Sequence, residues 1–127
     1  MNLNQVTVPS LNVEKSVAFY QTLGLELIVH AGEHYARFVC PDGNSTFSVH
    51  LVDELPQGEG VVVYFECVEL DDKVKRLQQQ GIAFEHEPKD QPWLWREARL
   101  NDPDGNQLIL FYAGENRVNP PWRIKTS

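Results

Sequence analysis

No stretch of this 127-residue sequence approaches the ~20 consecutive apolar residues that a membrane helix needs. Basic charge is scarce: 11 Lys and Arg against 18 Asp and Glu leave a net charge of −7. That balance argues against nucleic acid and anionic membranes as partners, since both are held by dense positive charge. It is compatible with a cationic ligand. Cysteine is nearly absent. Cys40 and Cys67 both lie in apolar, strand-like runs. The opening residues Met1 to Gln5 carry no basic patch or apolar stretch, so no export signal is read and a cytoplasmic protein is expected. In that setting the two cysteines read as buried free thiols rather than a disulfide or a catalytic thiol. The apolar fraction of 42% is ordinary for a globular chain, and the length suits one domain that stands without staples.

The organising feature is an internal repeat. Residues 36–44 read Ala-Arg-Phe-Val-Cys-Pro-Asp-Gly-Asn, and residues 98–106 read Ala-Arg-Leu-Asn-Asp-Pro-Asp-Gly-Asn, six of nine positions identical at an offset of 62. Each half follows one plan: a strand-like run (Leu3 to Val8, Val61 to Cys67), a helix, a glycine, then three more strands. The spacing predicts a first helix over 13–23, with Asn12 as N-cap and Gly24 beyond its end. It predicts a second over 71–80, with Leu70, Val74 and Leu77 on one face and Gly81 at the end. Each Pro-Asp-Gly-Asn reads as a tight turn joining the third and fourth strands of its half, with glycine taking positive φ. Strand 6 is expected around Ile82, Phe84 and His86, and Glu87 to Trp93 as a loop. The domain runs over 1–112, with module one at about 3–52 and module two at about 61–112. The tail, 113–127, has no period and is either irregular or packed through Trp122.

Strand side chains alternate between faces, so each strand can be phased by its apolar, helix-facing set. The other face then carries Gln5, Thr7, Tyr35, Arg37, Ser48 and His50 in the first half. The second half adds Tyr64, Glu66, Trp95, Glu97, Arg99, Ile109 and Phe111. This mixture of aromatic and single polar groups suits a concave pocket, or a sheet face covered by a partner subunit. His30 and His34 flank Gly32 in a turn and read as solvated.

Phe19-Tyr20 followed by Leu23-Gly24-Leu25, and Asp102-Pro103-Asp104-Gly105-Asn106 before the last strand, resemble the pattern of the vicinal oxygen chelate superfamily of glyoxalases, bleomycin-resistance proteins and extradiol dioxygenases. The resemblance runs from about Leu3 to Tyr112. It implies an α+β fold of two βαβββ modules, a U-shaped mixed sheet around a cavity, and paired subunits. In metal-using members, four inward positions on the first and fourth strands of each module carry His, Gln or Glu ligands to a divalent ion. Carried over, these fall on Gln5, His50, Val62 or Val63, and Ile109. Gln5 and His50 could ligate a metal; the aliphatic residues cannot. No cofactor is therefore expected, a divalent ion being the one group the surviving pair would admit. Glu66 and Glu97 are expected to pair with Arg37 and Arg99 across the sheet.

Two readings of function follow. One is a binding protein of the bleomycin-resistance type, holding a small molecule against Thr7, Arg37, Tyr64, Trp95, Arg99 and Phe111. Trp93 and Trp95 suit flat or cationic ligands. The other is a metal-dependent lyase or dioxygenase with a rearranged ligand set, in which His50 ligates or acts as base, Glu97 is its acid/base partner, and Arg37 or Arg99 holds an anionic group. A homodimer is expected, because two-fold pairing hides sheet edges.

Overall fold

The computed structural model describes residues 1–125. In chain order the elements are β1 (Gln5–Ser10), α1 (Val13–Leu23), β2 (Glu26–Ala31), β3 (Tyr35–Val39), β4 (Thr46–Leu51), β5 (Val62–Glu66), α2 (Leu70–Gln79), β6 (Lys89–Asp90), β7 (Arg96–Asn101) and β8 (Gln107–Tyr112), then a 3-10 turn at Gly114–Arg117. Each module makes a four-stranded sheet on one plan, β1-β4-β3-β2 and β5-β8-β7-β6. The first strand of each runs parallel to its fourth: Gln5 lies opposite Thr46 in one, Val62 opposite Gln107 in the other. This is the α+β, twice-repeated βαβββ arrangement expected from the repeat. Among the described residues no helix is long and apolar enough to cross a membrane.

Packing divides the chain into two units: Met1–Val61 with Asn101–Asn106, and Val62–Leu100 with Gln107 onward. In the first, α1 starts where Asn12 accepts the Lys15 N–H (3.1 Å). It ends at Gly24, whose φ of +109° the absence of a Cβ permits. Val13, Val17, Tyr20 and Leu23 are its buried face. They meet Val8, Ala36, Phe38, Phe47 and Val49, all nearly solvent-free. Tyr20 sits in this apolar set with its ring 4.6 Å from Phe47 and 5.8 Å from Phe38.

The Tyr20 hydroxyl donates to Asp102 Oδ2 at 2.6 Å. Asp102 is 5% exposed, and a buried carboxylate persists only when its lone pairs are filled. Here Oδ1 accepts the backbone N–H of Asp104 and of Asn106 (both 2.9 Å), and Oδ2 also accepts Asn106 Nδ2 (2.8 Å). The turn closes through Gly105 N–H to Asp102 O (3.0 Å). Neighbouring Asp104 caps the strand-to-helix corner, accepting the Leu11 N–H (2.8 Å) and the Ser16 hydroxyl (3.1 Å). The Asp-Pro-Asp-Gly-Asn turn is therefore a tertiary anchor as well as a hairpin.

In the second unit, α2 buries Leu70, Val74 and Leu77, and Ala98, Leu100, Leu108 and Leu110 are buried with them. The other side of β8 is also covered: Ile109, Phe111 and Ala113 form a cluster with Val62 and Trp95. Strand 6 differs from expectation. The residues from Ile82 to His86 are not a strand; β6 is the short pair Lys89–Asp90, inside the segment read as a loop. Glu85 N–H reaches Arg99 O (2.8 Å), but Pro88 has no N–H to continue the ladder. The tail is not wholly irregular, since it forms the 3-10 turn; within the chain Trp122 is 57% exposed.

Burial, then the charge of Asp102, pushes the Tyr20 phenol far above its ordinary value. With the folded value raised, the stability this hydroxyl contributes is complete below the unfolded value of ~10 and falls as pH rises above it. Tyr20→Phe should cost about 1.5–3 kcal/mol at neutral pH, the worth of a hydrogen bond to a charged group. The gap between the two proteins should narrow above pH ~10 as the unfolded wild-type phenol ionises. Urea unfolding of both at pH 7 and pH 11 measures it; a gap that does not change with pH would mean the hydroxyl is not held as described.

Candidate functional site

The residues singled out from sequence fall into two groups, one in each unit. In the first unit they share the sheet face turned away from α1. Gln5, exposed on β1, is already spoken for: Nε2 donates to Ser48 Oγ (2.9 Å), Thr7 Oγ1 (3.1 Å) and Val6 O (3.2 Å), and Oε1 accepts from Thr46 Oγ1. Ser48, fully buried, also bonds the Tyr35 hydroxyl (2.7 Å), and Arg37 Nε donates to that same hydroxyl (2.9 Å). The result is one chain of polar groups, Gln5–Ser48–Tyr35–Arg37. The bond with Ser48 leads in pulling the Tyr35 phenol below its ordinary range, with Arg37 adding to it and burial opposing.

His50 is exposed, opposite Tyr35 on β3 and Pro9 on β1. Gln5 lies opposite Thr46, four register steps away. At ~3.3 Å per residue the two are about 13 Å apart along the strands, too far to share one ion. The register also shows which residue matches Ile109. In the second module Ile109 lies two residues beyond the partner of Val62; two beyond the partner of Gln5 is Ser48, not His50. If Val62 matches Gln5, the register sets Ser48 opposite the place of Ile109, and the positions that the resemblance implied become Gln5, Ser48, Val62 and Ile109. The first two are bonded to each other, and Ile109 is 1% exposed in an apolar cluster. These residues do not fit a divalent ion. Among the described residues no three His, Cys, Asp or Glu side chains gather as a metal centre would require.

In the second unit Tyr64, Trp95 and Phe111 form an aromatic corner. Trp95 and Phe111 stack at 4.8 Å and 21°, and Tyr64 stands edge-on to both, at 5.8 Å and 88° and at 5.5 Å and 86°. The tail helps hold it: Trp95 Nε1–H donates to Asn116 O (3.3 Å), and Glu66 accepts the N–H groups of Ala113 and Gly114 (2.9 and 3.0 Å). Glu97 is 6% exposed and accepts Trp93 Nε1–H at 2.8 Å. Leu94, between the tryptophans, has φ +67°, a costly backbone state for a branched side chain that aims its two neighbours.

The expected pairing of glutamates with arginines differs in detail. Glu97 is held by Trp93 and Glu66 by the tail, with Arg117 at 3.8 Å. Arg99 donates to Gln107 (2.8 Å) and lies 3.9 Å from Glu85. His30, read as solvated, contacts Glu14 at 3.1 Å. Among the described residues no disulfide joins Cys40 and Cys67, and both are half-buried; burial, then Asp42, raises the Cys40 thiol. Thr7 and Pro9 also line a cleft of about 280 Å³ with the loop 55–61 and the turn 104–106.

The sequence matches known proteins along nearly its whole length. It is 29% identical to a trivalent organoarsenical cleaving enzyme of Bacillus sp. (strain MD1), over 87% of this chain and 74% of that protein. It is 27% identical to a probable trivalent organoarsenical cleaving enzyme of Bacillus subtilis (strain 168), over 100% and 98%. Among solved structures, a glyoxalase/bleomycin resistance protein/dioxygenase from Nocardioides superposes with a TM-score of 0.74 at 26% identity, covering 89% of this chain and 83% of that one. A bleomycin-binding protein complexed with bleomycin has the same fold, with a TM-score of 0.72 at 20% identity over 88% and 98%. The family profile matches residues 2–110, so this chain belongs to the Glyoxalase/Bleomycin resistance protein/Dioxygenase superfamily.

Proposed function

We propose that this chain is a cytoplasmic small-molecule binding protein of the bleomycin-resistance kind, which holds a flat, cationic ligand at the aromatic corner of its second unit. The observation that carries this reading is the right-angled arrangement of Tyr64 against stacked Trp95 and Phe111. Two walls at right angles accept a planar ring by stacking and a cation by its attraction to ring faces. Tyr64 is 45% exposed, so one wall is open to a ligand. The net charge of −7 favours a cation at long range.

N-methylquinolinium, with neutral naphthalene as its uncharged counterpart and bleomycin as a larger probe, tests the reading by tryptophan emission. The quinolinium should bind saturably and more tightly than naphthalene, and Tyr64→Ala should weaken it about tenfold, roughly 1.4 kcal/mol. Absence of saturable binding by the quinolinium and bleomycin, or indifference to Tyr64→Ala, would remove the proposal's basis.

The metal site is proposed to be lost. Protein purified without a histidine tag and equilibrated with Ni²⁺, Zn²⁺, Mn²⁺ or Fe²⁺ should hold well under one ion per chain. One tight ion per chain, lost in His50→Ala, would instead favour an enzyme with a rearranged site using His50 and Glu97. A homodimer is proposed because β5 and β6 are the outer strands of their sheet and two-fold pairing is the commonest way to cover such edges; sedimentation of a monomer at micromolar concentration would count against it.

A further inference from the structure

The polar face of the first unit holds a cation with no matching anion. Arg37 uses Nε–H on the Tyr35 hydroxyl (2.9 Å), and its Cζ lies 5.5 Å from that ring's centre. Its terminal nitrogens, Nη1 and Nη2, make no hydrogen bond among the described residues, and no described carboxylate oxygen comes within 4.0 Å of the guanidinium. Arg96, by contrast, is clasped by Asp71 and Asp90. Arg99 and Arg117 each have an acid within 4.0 Å. Arg37 is the half-buried one left without, in a chain where acids outnumber bases 18 to 11.

Its surroundings suit an anion. Across the sheet, β1 offers Gln5 and Thr7, β4 offers Ser48 and His50, and β2 places Val29 opposite Arg37. The acid nearest in register is exposed Glu26, opposite Val39, and it makes no ion pair with Arg37. A half-buried guanidinium is costly to leave uncompensated. Its two terminal nitrogens form the fork that meets the paired oxygens of a carboxylate or phosphate. Tyr35, pinned by Ser48, fixes the plane of that fork from its Nε side.

We propose that Arg37 binds the oxyanion of a small ligand, a carboxylate or phosphate, through Nη1 and Nη2, with Tyr35 as the positioning residue. The site lies wholly in the first unit and goes beyond the aromatic reading above, which rests on the second.

Titration of ¹⁵N-labelled protein with sodium acetate and with inorganic phosphate tests it, with chloride held constant. Saturable amide shifts should concentrate at residues 35–39 and 46–50, with Kd in the ~millimolar range expected of a small free anion. The anion that saturates identifies the group: acetate for a carboxylate, phosphate for a phosphoryl ligand. Arg37→Gln should weaken binding at least tenfold and Arg37→Lys several-fold, because lysine keeps the charge but not the fork. Arg76→Gln, which removes the same charge from the exposed side of α2, should leave it unchanged. Tyr35→Phe should weaken binding in the wild-type background and add nothing in Arg37→Gln, a non-additivity that a general loss of stability would not produce. Equal binding by Arg37→Gln, equal loss in Arg76→Gln, or no saturation up to about 50 mM would overturn the proposal. Quinolinium binding read from tryptophan emission should be unmoved by Arg37→Gln, so failure at one site is distinguishable from failure at the other.

Discussion

A carboxylate survives in a protein interior only where protein groups replace the water it has lost. Asp102 meets that condition with four donors: two backbone N–H groups, an amide and a phenol. Much of the first unit follows from this arrangement. Tyr20 can bring a large ring to the centre of the aromatic core because its one polar atom has a partner. The turn 102–106 is fixed by its own first side chain, which leaves Asp104 placed to hold Leu11 and Ser16 at the start of α1. Asn106 reaches Pro9 O at 3.0 Å and so ties the turn to β1 as well. The strand that carries Gln5 and Thr7 is thus held from its far end by the motif that resembled the superfamily in the sequence.

Much of this was legible beforehand. Periodicity and end signals located both helices, because Asn12, Gly24 and the apolar spacing all act locally. The repeat located the paired sheets, since residues that recur at a fixed offset occupy equivalent environments. What was missed depends on partners that local pattern does not encode. β6 was misplaced because Ile82 and Phe84 have strand-like composition, while the ladder is decided by Pro88 and by what β7 offers. Asp102 read as a turn residue, and nothing in its neighbourhood said that its side chain would turn inward to Tyr20.

The polar site was legible in composition and not in register. Phasing placed Gln5, Thr7, Tyr35, Arg37, Ser48 and His50 on one face, and they lie on it. Histidine drew the ligand position to itself because of its chemistry. Three residues past Asn106 is Ile109, but three past Asn44 is Phe47, which packs on the helix side. The first module has one more residue between turn and equivalent position, so counting from the motif lands on the wrong face, and only the pairing of Gln5 with Thr46 recovers Ser48. The two modules therefore share a backbone plan while their exposed faces differ: hydroxyls and a guanidinium in one, stacked aromatics in the other.

The repeat is not symmetric where it matters most. The position equivalent to Asp102 in the first module is Cys40, which brings no carboxylate. The buried anchor therefore exists once, and it is supplied to the first unit by residues encoded about fifty positions after the end of β4, that unit's last strand. A half-length product ending at Val61 would place the Tyr20 hydroxyl in an apolar core with no acceptor, a penalty of about 1–3 kcal/mol for one unpaired polar group. The first half of the sequence therefore does not carry the whole of the first unit: the turn that anchors it is encoded in the second half.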